Sequence, residues 1–172
     1  MSKLAVVYCS NTGNTKRMAE IILKGAEKVP GVESRAFSIN ELSGTEINEE
    51  AAQYLKDSSC MIFGSPVVLS TLEPKAREWL MSDALKYNLP GKLGGAFATA
   101  GYVDGGGEIT VQQTLLLMIV EGMLTYGAGG VLGGEPMVHF GPTAIAGKLE
   151  ESDAKFESYG ERMALKTKEL FD

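Results

Sequence analysis

The sequence predicts an α/β fold: a five-stranded parallel sheet, order 2-1-3-4-5, with helices on both faces in three layers. Three observations lead there. Short, continuous apolar runs that end in turn residues recur along the chain, as strands buried on both faces require. Segments of helical periodicity alternate with these runs. At 172 residues with 44% apolar and 22% charged content, the chain is long enough for one full core, so residues 1–172 are expected to form a single domain.

Each element has its own signal. Residues 3–8 (KLAVVY) form an apolar run ending in turn chemistry and predict strand one. Met18, Ile21, Ile22, Gly25, Ala26 and Val29 then recur at helical spacing until Pro30-Gly31 stops them. A second strand is expected at 32–38, and a helix near 48–56 whose Glu49 and Glu50 suit the positive first turn. CMIFG at 60–64 predicts strand three. Pro74 suits a helix start, with Ala76, Trp79, Leu80 and Ala84 as its apolar face. KLGGAFATA at 92–100 predicts strand four. A leucine-rich helix at 108–126, apolar nearly all round, is expected either to be deeply buried or to meet another subunit. Strand five is expected within 124–132, and a closing helix carries Phe156, Tyr159, Met163 and Leu170 on one face.

Composition removes whole classes of function. A formal charge of −6 leaves no basic stripe to neutralise a phosphate backbone, so no nucleic-acid partner is expected. The apolar run at the start is too short for a signal-peptide core or a membrane span, which predicts a cytoplasmic protein. Cys9 and Cys60 fall near opposite ends of neighbouring strands, about 15 Å apart on strand rise, and are expected as buried, inert thiols. Glycine clusters at Gly94-Gly95, Gly105 to Gly107 and Gly133-Gly134 suggest loops around a ligand.

In a sheet of this order, ligands bind beyond the carboxyl ends of the strands, so the loops SNTGNT, SPVVLSTLEP and ATAGYVDGGGE should converge. The first feeds a helix N-terminus, where unpaired N–H groups and the positive dipole end favour a phosphate. Ser10, Thr12 and Thr15 add hydroxyls, Gly13 allows close backbone approach, and Asn11 and Asn14 support unusual turn conformations. Capping alone needs one such residue. No GxxxxGK[ST] occurs, which excludes a P-loop NTPase, and the turn lacks the three spaced glycines of a dinucleotide fingerprint. A terminal monophosphate fits best.

VVYCSNTGNTKRMAEII resembles the FMN-phosphate signature of flavodoxins, with Tyr8, Ser10, Gly13, Thr15 and Ala19 in register. GSPVVLSTLEPKAREWL, GKLGGAFATAGYVDGGGEIT and HFGPTAIAGKLEESD resemble the flavin loops and tail of the WrbA-like NAD(P)H:quinone oxidoreductases. The resemblance implies a flavodoxin-like fold with Ser10, Asn11, Thr12, Gly13, Asn14 and Thr15 on the FMN phosphate. Pro66, Val67, Val68, Leu69 and Ser70 would pass along the ribityl chain and ring. Thr99, Ala100, Gly101, Tyr102, Gly105, Gly106 and Gly107 would close the other side. Tyr102, the only aromatic in the two ring loops, would stack on or border the ring. Glu121 stands near the place of a histidine those enzymes carry, and the segment between strands three and four is shorter than theirs.

No catalytic side-chain set is expected, because a flavin carries redox chemistry itself. His139, the only histidine, can anchor no triad or metal cluster. Asp104 suits turn chemistry, Lys16 and Arg17 add positive potential near the first loop, and Glu41, Glu46, Glu49 and Glu50 form a solvated acidic run. Two activities follow from the resemblance. One is an NAD(P)H-dependent two-electron oxidoreductase that reduces quinone-like acceptors by hydride transfer through FMN N5. The other is a one-electron carrier between redox proteins. A homodimer or homotetramer is expected from the apolar long helix and from the oligomers the resembling enzymes form.

Overall fold

The structure is a computed structural model that describes residues 1–44, 47–130 and 137–172. Four parallel strands form its centre: β1 (Ser2–Tyr8), β2 (Val32–Ser38), β3 (Cys60–Val68) and β5 (Leu93–Ala100), in the order β2-β1-β3-β5. The register sets Leu4 beside Cys60 and Cys60 beside Leu93, and at the other end Tyr8 beside Gly64 and Gly64 beside Phe97, so β3 and β5 run on past the carboxyl end of β1. This is the flavodoxin-like arrangement expected from the sequence.

The outer edge differs from the expectation. Of the strand expected within 124–132 only β6 (Leu124–Thr125) forms among the described residues and pairs with the start of β5, while β7 (Thr143–Ile145), beyond the predicted bounds, pairs with the end of β5, both parallel. Residues 126–142 lie between the two pieces, and the far end of the predicted strand, with Gly133-Gly134, falls outside the described residues. A further strand, β4 (Thr71–Leu72), turns back antiparallel on β3 as a hairpin. β3 therefore runs to Val68, four residues past its predicted end.

Two apolar layers flank the sheet. On one face α1 (Asn14–Ala26) and α5 (Asp153–Phe171) cover Leu4, Val6, Ile62 and Phe97 with Met18, Ile22, Phe156, Tyr159 and Met163. On the other, α2 (Glu49–Asp57), α3 (Pro74–Met81) and α4 (Gly107–Val120) cover Ala5, Val7, Met61 and Phe63 with Leu55, Trp79, Leu80, Val111 and Met118. Trp79 stacks between Phe63 and Tyr87 and is core. Gly94 and Gly95, grouped with loop glycines by composition, lie inside β5, where Cβ atoms would crowd Met118 and Tyr159. Leu170 is exposed rather than on the buried face of α5.

Helix α4 ends six residues before its predicted limit, at Val120, because residues 121–123 turn into β6. Thr110, Val111, Thr114, Leu115 and Met118 are buried, while Ile109, Leu116, Ile119 and Val120 face outward. The helix is apolar on both sides but buried on one.

Candidate functional site

Three chain segments meet beyond the carboxyl ends of β1, β3 and β5. The first leads from β1 into α1. The Cys9 N–H donates to the Gly64 carbonyl at 2.9 Å, which fixes the start of this segment against β3. Gly13 is the residue before the first turn of α1, at φ +90, a left-handed conformation that suits glycine, and it brings no side-chain cap. A Cβ built on it would meet nothing within 4 Å. The start of α1 thus presents backbone N–H groups beside open space at Gly13, the arrangement that can receive an anion.

Not every predicted donor side chain is free at this helix start. Asn11, Thr12 and Gly13 are exposed and Asn14 is half-buried. The Ser10 hydroxyl accepts from the Lys16 N–H at 3.3 Å and so closes the turn. Thr15 is buried, and its Oγ1 shares a 2.8 Å hydrogen bond with Thr99 Oγ1. Thr15 therefore ties α1 to β5. Arg17 does not add free positive potential either, since its guanidinium forms a two-pronged pair with Asp153 at 2.7 and 2.9 Å, joining α1 to α5.

The second segment is the β3–β4 hairpin. Pro66 and Val67 are half-buried, while Val68, Leu69 and Ser70 stand at its exposed tip. Leu69 and Ser70 have φ of 49 and 60, the left-handed pair of a two-residue turn that asparagine and glycine adopt far more readily. Leu69 is 96% exposed. Glu73 follows the hairpin and is only 8% exposed, with its carboxylate accepting from the Ala76 N–H at 3.1 Å and from the Cys9 thiol at 3.4 Å.

The third segment leads from β5 into α4. Thr99 and Ala100 end the buried strand, Gly101 and Tyr102 are exposed, and the Gly105 N–H donates back to the Tyr102 carbonyl at 3.0 Å. Gly106 has φ +89 and starts α4 without a side-chain cap. A Cβ on it would strike Ser70, and one on Gly107 would lie 3.1 Å from Thr143. The glycine strip is therefore held between the hairpin and β7. Tyr102 is 69% exposed and Val103 79%, so with Leu69 at the hairpin tip the second and third segments carry three exposed apolar side chains.

The remaining candidates fall away from this centre or are committed elsewhere. His139 and Asp104 are exposed, and no cluster able to hold a metal ion occurs among the described residues. Glu41 closes a capping box with Ser38, and Glu50 pairs with Arg35, while Glu46 lies outside the described residues. Both cysteines are free and buried, and burial pushes each thiol up to about 12. Glu121 closes α4 at the far end of the sheet, where desolvation raises its carboxyl to about 7 and leaves Oε2 without a partner. Two residues that matter to the loops, Glu73 and Asp153, carried only weak sequence signals: a glutamate before a helix-starting proline, and an acid opening the last helix.

The chain resembles proteins of known family along its whole length. A flavodoxin from Clostridium saccharobutylicum is 32% identical over 169 residues, covering 98% of this chain and 99% of that protein. The chain belongs to the flavodoxin family. A flavodoxin from Aquifex aeolicus is 27% identical over 95% of this chain and 86% of its own length. An NAD(P)H dehydrogenase (quinone) from Aromatoleum aromaticum is 26% identical over 84% of this chain and 83% of its own. Among solved structures, a flavodoxin from the domain Archaea (TM-score 0.75, 23% identity) covers 96% of this chain and 99% of its own. A WrbA-like flavodoxin from Agrobacterium tumefaciens has the same TM-score at 22% identity, over 98% and 99%. These two structures establish the fold. No family model matches the chain. No described helix of this flavodoxin-family protein is long and apolar enough to cross a membrane.

Proposed function

We propose that this flavodoxin-family chain binds FMN across the three loops and acts, as a cytoplasmic homo-oligomer, as an NAD(P)H-dependent two-electron oxidoreductase on quinone-like acceptors. The residues fit the cofactor: the start of α1 at Gly13 offers neutral N–H donors beside open space, and Gly101, like Gly13, has nothing within 4 Å of where a Cβ would stand. Ser10 to Thr15 would hold the phosphate, Pro66 to Ser70 the ribityl chain and one side of the ring, and Thr99 to Tyr102 with Gly105 to Gly107 the other. Bound FMN would supply the hydride acceptor and donor, so the protein needs to bind, orient and tune it rather than contribute an acid or a nucleophile.

One observation carries the enzyme reading. The hairpin carries no aromatic, and the single aromatic of both ring loops, Tyr102, is 69% exposed. A face on which a second planar reactant can stack stays accessible, and proximity in that open cleft is the catalytic device. The backbone N–H groups of the glycine strip would favour negative charge developing beside them. The quinone dehydrogenase relatives support the same direction.

A second reading, a one-electron carrier between redox proteins, is supported by the exposed apolar side chains of Leu69, Tyr102 and Val103, which suit a protein partner, and by the relative of 32% identity. Anaerobic mixing of the FMN-loaded protein with NADH and with NADPH separates the two. The enzyme reading expects rapid bleaching of the flavin and its return on adding benzoquinone. Absence of reduction by either nucleotide, with normal reduction by dithionite, leaves the carrier. The outward apolar residues of α4 support self-association, and sedimentation at micromolar concentration should show a dimer or tetramer, a monomer ruling that out.

A further inference from the structure

We infer that Glu73 is a positioning residue which couples the phosphate-loop end of β1 to the β3–β4 hairpin, so that the two loops hold the cofactor as one unit. The inference rests on reading these loops as an FMN site. Helices usually start with serine, threonine, aspartate or asparagine in the capping place, because a short side chain reaches back to the first turn. Here a glutamate occupies it, just ahead of Pro74, and its longer chain makes a second connection that aspartate could not reach.

Glu73 Oε2 accepts from the Ala76 N–H at 3.1 Å, which caps α3, and from the Cys9 Sγ–H at 3.4 Å. The Glu73 N–H is divided between Ser65 Oγ at 3.0 Å and the Pro66 carbonyl at 3.2 Å, at the point where the hairpin leaves the sheet. Cys9 immediately precedes Ser10 and is itself bonded through its N–H to Gly64. Glu73 therefore joins three places: its buried carboxylate ties the residue before the phosphate loop to the start of α3, and its backbone N–H ties both to the root of the hairpin. Burial, then the neighbouring Glu73 carboxylate, pushes the Cys9 thiol up to about 12, so it keeps the proton it donates throughout the working range. A thiol donor is weak by itself. Its value here lies in satisfying a buried carboxylate that capping alone leaves partly unpaired.

The side chain is buried, so its effect on the cofactor passes through the loops it joins. Three variants separate bridging from capping. Glu73→Asp retains the cap and loses the reach to Cys9, Glu73→Gln retains both reach and an acceptor oxygen, and Tyr87→Phe removes a buried hydrogen bond to the Leu42 carbonyl elsewhere in the same core. FMN affinity is read from flavin fluorescence quenching on titrating each apoprotein, and folding from its thermal transition. The inference expects Glu73→Asp to weaken FMN by about fivefold to tenfold, the loss expected for one buried hydrogen bond, with the transition lowered no more than in Tyr87→Phe. It expects Glu73→Gln within about threefold of wild type, and Tyr87→Phe to leave FMN affinity unchanged while its transition falls at least as far as that of Glu73→Asp. Wild-type affinity in Glu73→Asp, or equal weakening in Glu73→Asp and Tyr87→Phe, overturns it. Failure of the wild-type protein itself to bind FMN would overturn the underlying reading instead.

Discussion

Thr15 Oγ1 in the first turn of α1 and Thr99 Oγ1 near the end of β5 lie 2.8 Å apart in a buried setting, although 84 residues separate them in sequence. The two hydroxyls share one hydrogen bond, which ties the first turn of α1 to the end of β5. It explains why a loop rich in hydroxyls keeps one of them turned inward.

Replacing either threonine by valine strands the other hydroxyl. Thr15→Val and Thr99→Val should each cost about 1–3 kcal/mol in urea denaturation of the apoprotein, the penalty for one unsatisfied buried polar group. The double variant removes both partners, so it should cost less than the sum of the two. Strict additivity would show that the two hydroxyls do not depend on each other.

The hairpin stores conformational strain at Leu69 and Ser70, both left-handed and neither glycine. Leu69→Asn should stabilise the protein by about 1 kcal/mol, since asparagine adopts this conformation at lower cost. The side chain is 96% exposed, so no packing is lost to mask the effect. A lower thermal transition in Leu69→Asn would show that the leucine makes contacts of its own.

Glu121 predicts a pH dependence with a definite sign. Its folded carboxyl is raised by desolvation from 4.5 to about 7, so the folded state holds a proton that the unfolded state has released across that window. The folded state binds more protons there, and stability attributable to this group falls as pH rises from about 4.5 through 7. Glu121→Gln should therefore be more stable than wild type by about 1–2 kcal/mol above pH 8, with partial exposure screening the effect, and the two should converge near pH 4. Denaturation curves of both proteins at several pH values check this, and a difference that is constant with pH contradicts it.

Lys92 is buried just before the start of β5, where its ammonium donates to the Leu55, Lys56 and Ser58 carbonyls at the close of α2. Lys92→Met keeps the stem and removes the donors. It should cost about 2–3 kcal/mol through unsatisfied carbonyls and the loss of a favourable cation at a helix end, while leaving FMN affinity unchanged.

Much of this was legible in sequence because the signals were local. The strand at 32–38 matches its prediction residue for residue, and α2 starts one residue into the predicted 48–56 span with Glu49 and Glu50 in its first turn. The divided edge strand was not legible: β6 and β7 are two and three residues long, too short for periodicity, and their place is set by pairing with β5. The hairpin escaped for a related reason, since Leu69-Ser70 carries none of the asparagine or glycine that marks such a turn. At the candidate site, the residue types that line the loops could be read, but not which of them look inward. Thr15 and Ser10 differ in role only because one faces β5 and the other its own turn.

The central proposal is that the start of α1 receives the FMN phosphate, and the most direct test of it compares FMN with riboflavin, which lacks the phosphate, by titrating the apoprotein and following flavin fluorescence. The account predicts one FMN per chain and affinity for riboflavin weaker by tenfold or more, about 1.4 kcal/mol or greater. Equal affinity for the two flavins, or no binding of FMN, would contradict it.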